Sequence, residues 1–264
     1  MIKGIYAAAS AMISGLHRQE VLTHDISNTN TPGFKSVLAS MEDWKKTDVI
    51  PAINSQVNLP FIQSSYVNQS MVQSQYLGKL GLGVQTIPDT TDFSQGALQK
   101  GTSELDLGIQ GDGFFQISTP NGLRYTRDGR FQKDSVGTMI NADGYKVLDE
   151  NGQPIVLGSG TITVGTNGEV LEDNAQVAKI SLKSFSNPRD LLVHDGENYY
   201  SSVAAPDGTG VGVISQGYLE SSNVSIADAM TQMISIGRSY EAAQQMVTVQ
   251  DTLLGRAIQT LGKV

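Results

Sequence analysis

Three histidines, two close pairs of carboxylates and a series of Asp-Gly dipeptides are the residues of this chain whose types and spacing invite chemistry. His17 and His24 are seven apart and could share one helix face, while His194 stands far along the chain. Two imidazoles without a third ligand nearby make a poor metal site. Glu104 with Asp106, on one face of a strand, or Asp149 with Glu150 could act as general acid and base. That would make a carboxylate-dependent hydrolase of cell-wall glycans, with Glu104 as its candidate residue. No HExxH, GxSxG, SxxK, Asp-Thr-Gly or P-loop pattern accompanies them, and carboxylates beside turns usually only solvate a surface. The Asp-Gly series suggests calcium, but its spacing fits neither an EF-hand nor a nonapeptide repeat. With no Cys there are no disulfides, thiolate metal sites or Cys nucleophiles. The residues point to a protein that is not an enzyme and needs no cofactor or metal.

The elements that carry these residues explain the chain better. Its 264 residues allow one large or two modest domains. Eighteen Lys plus Arg against 26 Asp plus Glu leave a net charge of -8. That works against a nucleic-acid partner, which requires clustered cations. No stretch approaches the roughly 18 to 20 apolar residues of a membrane span, so no direct membrane insertion is expected.

Ile2, Ile5, Ala9, Met12 and Leu16 recur at spacings of three and four, and Ile26 resumes the stripe after Gln19 and Thr23. This predicts one amphipathic helix ending near Asn28, where SNTNTPGFK (27–35) favours a turn and Pro32 holds Thr31 extended. Lys3, the small apolar run from Gly4 to Ile13 and Ala9-Ser10-Ala11 imitate a signal peptide with its cleavage site. The apolar spacing nevertheless continues past that site, as a retained helix requires. At the other end Ile226, Met230, Met233, Ile236, Tyr240, Ala243, Val247, Leu254, Ile258 and Leu261 trace a second stripe, with Ser222, Asn223 or Ser225 as its cap. From 224 to 262 such a helix is about 58 Å long, against roughly 30 Å for a small domain. It is too long for one compact domain to cover. Met230, Met233 and Met246 read as gap-filling seam residues.

Between the helices, Asp-Gly and Asn-Gly pairs from Asp112-Gly113 to Asp207-Gly208 mark tight turns. They separate strand candidates at 105–110, 114–119, 145–148, 162–164, 179–185 and 212–218, which predicts an antiparallel all-β domain. Residues 45–92 are rich in Gln, Ser, Asn and Gly and read as an extended excursion outside the β core. The fold class is therefore α+β: long N- and C-terminal helices and a central antiparallel all-β domain. Its expected parts are 1–35 with 222–264, a connecting segment 36–92 and a β-rich domain 93–221.

SNTNTPGFK after an amino-terminal helix, SNVSIADAMTQMISIGRSYEAAQQMVTVQDTLLGRAIQTLG at the other end, and DFSQGALQKGTSELDLGIQGDGFFQI (92–117) with YTRDGRF (125–131) between them resemble the bacterial flagellar basal-body rod and hook protein family. The resemblance covers the chain apart from residues 45–91. It implies an axial subunit exported by the flagellar export apparatus without a cleaved signal and stacked helically with other rod and hook proteins into a periplasmic rod. In such proteins the end helices form a coiled coil lining the tube and the β domain lies outside. Carried onto this chain, the seam is Ile5, Met12, Leu16 and Ile26 against Met230, Met233, Tyr240, Val247 and Leu254. The turn of Asn28, Pro32, Gly33, Phe34 and Lys35 leads from helix to outer domain, and Asn223, Arg238, Tyr240, Glu241 and Asp251 join it in subunit contacts. Ala229 and Ala243 depart from the family, which often carries Glu and Asn there. GYKVLDENGQPI (144–155) leans toward a proximal-rod member, while the length and the inserted 45–91 leave a distal-rod member open. The residues alone also allow an exported β-rich binding module or adhesin, oligomerised by its helices.

Overall fold

The computed structural model describes residues 2–43, 46–48, 79–81, 83–180, 182–194, 198–202 and 205–261. Most of the expected connecting segment, residues 49–78, lies outside them. At its flanks, strand Val37–Asp43 pairs with Val84–Thr91, and Lys46–Asp48 runs antiparallel to Lys79–Gly81. The residue pattern alone predicts no strands there. The chain divides into two compact units, residues 1–18, 40–87 and 235–264 forming one, and residues 19–39 and 88–234 the other.

Helix α1 spans Ile2–Ser27 and helix α3 Ile226–Leu261, with the single-turn α2 at Pro188–Leu191 between them. Both long helices follow the predicted stripes to within two residues. Helix α1 stops where expected, because the Asn28 amide still bonds back to the His24 carbonyl at 3.2 Å while Pro32 cannot donate. Of the three candidate caps for α3, Ser225 serves: its Oγ accepts the Asp228 amide at 3.4 Å. Among the described residues no helix is long and apolar enough to cross a membrane.

The second unit holds the antiparallel β region. Among the described residues its largest sheet has seven strands, in the order Leu192–His194, Tyr200–Ser202, Gly122–Thr126, Phe115–Thr119, Lys146–Val147, Met139–Asn141 and Phe131–Lys133. A three-stranded sheet of Ile162–Val164, Glu169–Glu172 and Ala175–Lys179 joins it, with the pairs Leu107–Gln110/Val213–Gln216 and Leu98–Lys100/Tyr218–Glu220. Leu107, Ile109, Phe115, Ile117, Phe131, Val147 and Ile214 make one continuous apolar core. Phe115 meets Phe131 edge to face at 5.0 Å between ring centres, a favoured aromatic geometry. Phe115→Ala is expected to cost about 3–5 kcal/mol, the range for deleting a buried ring. Urea unfolding measures it, and a loss below about 1 kcal/mol would show that the core closes over the gap.

Of the Asp-Gly and Asn-Gly pairs, Asn121-Gly122, Asp143-Gly144, Asn151-Gly152 and Asn167-Gly168 lie in turns, Asp128-Gly129 and Asp207-Gly208 do not, and Asp195-Gly196 lies outside the described residues. In the turns that end at Gly137, Gly144 and Gly152 the organising residue lies three places before the glycine. Asp134, Asn141 and Asp149 each accept two backbone amides through one side-chain oxygen. The donors are Val136 and Thr138 at 2.8 Å, Asp143 and Tyr145 at 3.1 and 2.7 Å, and Asn151 and Gln153 at 2.9 and 2.7 Å. An Asx side chain that mimics a backbone acceptor closes the loop locally. The Asp134 and Asp149 carboxylates are thus taken up by backbone amides of their own turns.

One sheet edge is closed in a different way. The Gln216 carboxamide lies along strand Ile162–Val164, accepting the Val164 amide at 2.9 Å and donating to the Ile162 carbonyl at 3.0 Å.

Candidate assembly interface

Within the second unit the turn after α1 is folded into a buried knot. Asn28 stays buried, donating to the His24 carbonyl at 3.1 Å and accepting from Thr31 at 3.1 Å. Gly33 takes φ +72°, a left-handed conformation that glycine tolerates best, and its amide donates to the Glu220 carbonyl at 2.7 Å. The Phe34 ring is fully enclosed and lies 5.5 Å from His24. The Lys35 side chain is also fully buried, donating to Glu220 Oε1 at 2.5 Å and to the Ser94 carbonyl at 2.8 Å. Pro32 is half-buried.

Glu220 serves three partners. Besides Lys35, it accepts the Gly96 amide at 2.9 Å and Arg127 Nη1 at 3.2 Å. The Arg127 guanidinium also sits 4.9 Å over the Phe114 ring, whose face attracts a cation. The knot thus holds two buried cations and one anion, joining the turn, strand Gly122–Thr126 with its sequel, and the segment that leads into α3. Burial pulls the Lys35 ammonium below its ordinary range, and Glu220 opposes that pull. Asn223 adds a polar bridge: it accepts the Ser36 amide at 2.8 Å and donates to the Asp92 carbonyl at 2.9 Å and Ser94 Oγ at 3.0 Å.

The expected seam residues divide. In the first unit Ile5, Met12, Tyr240, Val247 and Leu254 are half-buried, while Leu16 is exposed. There Gly4 of α1 lies against the Gln250 side chain and Gly15 against Ile236, so the two helices run in opposite directions past one another. Arg238, Glu241 and Asp251 point to solvent. In the second unit Ile26 and Met233 are half-buried and Met230 is exposed. Further apolar side chains are exposed, of which the sequence reading gives a seam role to Met246 alone. Tyr6 and Ile13 stand one heptad apart on α1, and Met246, Val249 and Leu253 stand at spacings of three and four on α3, all about half-exposed or more. Those spacings were the available signal.

The catalytic candidates do not converge. Glu104 is exposed and Asp106 buried, and both precede their strand, which begins at Leu107 and not at Leu105. They do not share a strand face as expected: Asp106 Oδ2 instead caps a turn, accepting the Thr102 and Ser103 amides at 2.8 Å each. Asp149 organises its own turn, and Glu150 pairs with Lys179 at 3.3 Å on the surface. His17 lies on α1, His24 packs on Phe34 and His194 belongs to strand Leu192–His194. Among the described residues no three metal-ligating side chains group together.

Two families match the chain. The one described as "Flagellar basal body rod FlgEFG protein C-terminal" covers residues 215–260, and "Flagellar hook protein FlgE/F/G D1 domain" covers residues 108–172. Similarity to individual proteins runs nearly end to end. The flagellar basal-body rod protein FlgG of Borreliella burgdorferi is 30% identical over 97% of this chain and 98% of its own length. The rod protein FlgF of Rhizobium meliloti is 31% identical over 99% of both, and FlgG of Bacillus subtilis 29% identical over 96% and 97%.

Proposed function

We infer the working of this chain from one premise: it belongs to the flagellar basal-body rod protein family and is a structural subunit of the flagellar basal body. In this reading residues 1–35 with 222–264 form a coiled coil and pack side by side with other copies and other axial proteins. The result is a helical rod that transmits torque between motor and hook. Residues 36–92 connect, and residues 93–221 form the outer domain. The observation that carries it is the apolar surface left on both long helices: Tyr6, Ile13 and Leu16 on α1, and Met246, Val249, Leu253 and Ile258 on α3. Helices with exposed apolar side chains on more than one face require further neighbours. A contact whose rotation does not close generates a filament, the geometry a rod needs. The candidate contacts are the seam residues with Arg238, Glu241 and Asp251, while Asn28, Gly33, Phe34, Lys35 and Asn223 act indirectly, by holding the turn after α1 and the segment before α3 on the β region within the second unit.

Export through the flagellar apparatus into the periplasmic rod, with α1 retained, belongs to the same reading. Its support is the unbroken helix Ile2–Ser27 across the imitation cleavage site at Ala9-Ser10-Ala11.

Hydrogen exchange by mass spectrometry tests the assembly role. In dilute monomer, residues 2–18 and 235–261 are expected to exchange fast beside a protected 107–214, and to gain protection when the subunits polymerise. Equal protection of helices and β core in a proven monomer would mean that the helices are already satisfied, and would remove the physical support for the assembly reading.

A further inference from the structure

Near the end of α1, Asp25 keeps only 4% of its surface exposed. Among the described residues both of its carboxylate oxygens share one donor, the Val37 amide, at 3.1 and 3.3 Å. Val37 opens the first strand, so this carboxyl spans the junction where the chain passes from helix, through the buried turn, into strand. An ionised carboxylate normally gathers two or three donors or a cation when it leaves water. Asp25 has one amide. The ionisable groups that act with it are His24 on its own helix and Tyr200 on strand Tyr200–Ser202, against which Lys35 of the turn also lies, its ammonium held by Glu220. Beyond Tyr200 lie Glu220 and Arg127. Only His24 of these adjoins Asp25 in the chain, and its charge favours the ionised form less than burial disfavours it.

We propose that Asp25 is a proton-operated latch on the junction between α1 and strand Val37–Asp43, closed firmly when its carboxyl is neutral and loosened when it is ionised. Burial raises its pKa from 3.8 to about 6, against the Val37 hydrogen bond and His24, which both lower it. The sign follows from linkage. A group whose folded pKa lies above its unfolded value stabilises the folded junction fully below about 3.8, and that contribution is lost as the pH rises through about 6. The junction therefore tightens in mild acid and works against an ionised carboxylate at neutral pH. A tenfold change per pKa unit makes the whole span about a hundredfold in the opening equilibrium. The latch is independent of the assembly role, since it acts within one chain.

The test is exchange of the Val37 amide in the full-length chain between pH 4.5 and 7.5, corrected for the intrinsic rate, in the wild type and in Asp25→Asn. The wild type is expected to lose protection by about tenfold or more as the pH rises through 6. Asp25→Asn, which keeps an acceptor for Val37 without the charge, is expected to show a flat profile. A flat wild-type profile overturns the latch, and so does an equal slope in Asp25→Asn, which would assign the titration to His24 or another neighbour. The carboxyl 13C shift of Asp25 in the wild type serves independently if the variant does not fold. A midpoint near 6 supports the latch and one near 3.8 refutes it.

Discussion

Glu220→Ala is expected to lower the unfolding free energy by about 3–5 kcal/mol, the cost of leaving buried charge without its partner. Lys35 and Arg127 are both almost wholly enclosed, and among the described residues Glu220 is the one carboxylate bonded to each. Alanine would also strand the Gly96 amide, which now donates to Glu220 at 2.9 Å. The remaining attractions, Phe114 beneath Arg127 and the Ser94 carbonyl beside Lys35, are weaker than a carboxylate. Urea midpoints give the loss directly. A change under about 1 kcal/mol would mean that water enters the knot and screens the cations, as it does for surface pairs.

The second large effect belongs to Gly33. A Cβ there would stand 2.4 Å from the carbonyl carbon of Arg127 and the amide nitrogen of Asp128, both backbone atoms. Gly33→Ala is expected to cost roughly 3 kcal/mol or more: roughly 1–2 for a left-handed φ with a side chain, the rest for moving backbone beside the knot. Gly144 supplies the control, since it has φ +85° but nothing within 4 Å of where a Cβ would stand. Gly144→Ala carries the conformational term alone, so the difference between the two variants in thermal or urea unfolding isolates the clash. Equal losses would show that the Arg127-Asp128 backbone yields freely.

Local features are legible in the chain because local physics decides them. The helix stripes, the stop near Asn28 and the turn-strand rhythm of the middle all depend on residues within one or two turns of each other. The ionic knot is not legible, because Lys35 and Glu220 are separated by 185 positions. Nothing in either neighbourhood marks a lysine or a glutamate as one that will be buried. Gly33 and Phe34 stand out in the sequence as members of a turn, yet the reason for both is a β domain whose approach only the fold reveals. Asp106 shows the opposite error. Strand alternation pairs it with Glu104, while two amides of the preceding turn have the stronger claim on its carboxylate. On the helices, a single sequence stripe does not account for the whole apolar surface. Val249 and Leu253 form a further exposed set with Met246, and a search for one best face passes over both of them.

The Gln216 carboxamide along strand Ile162–Val164 has a consequence for how copies of the chain meet. A side-chain amide offers the same donor and acceptor as a peptide group, so this plug fills the place where a foreign strand would dock. Edge pairing recruits any extended chain with little regard for its sequence, and crowded subunits with open edges would fuse in arbitrary registers. Closing that edge from within leaves recognition between neighbours to side chains, which can tell one partner from another.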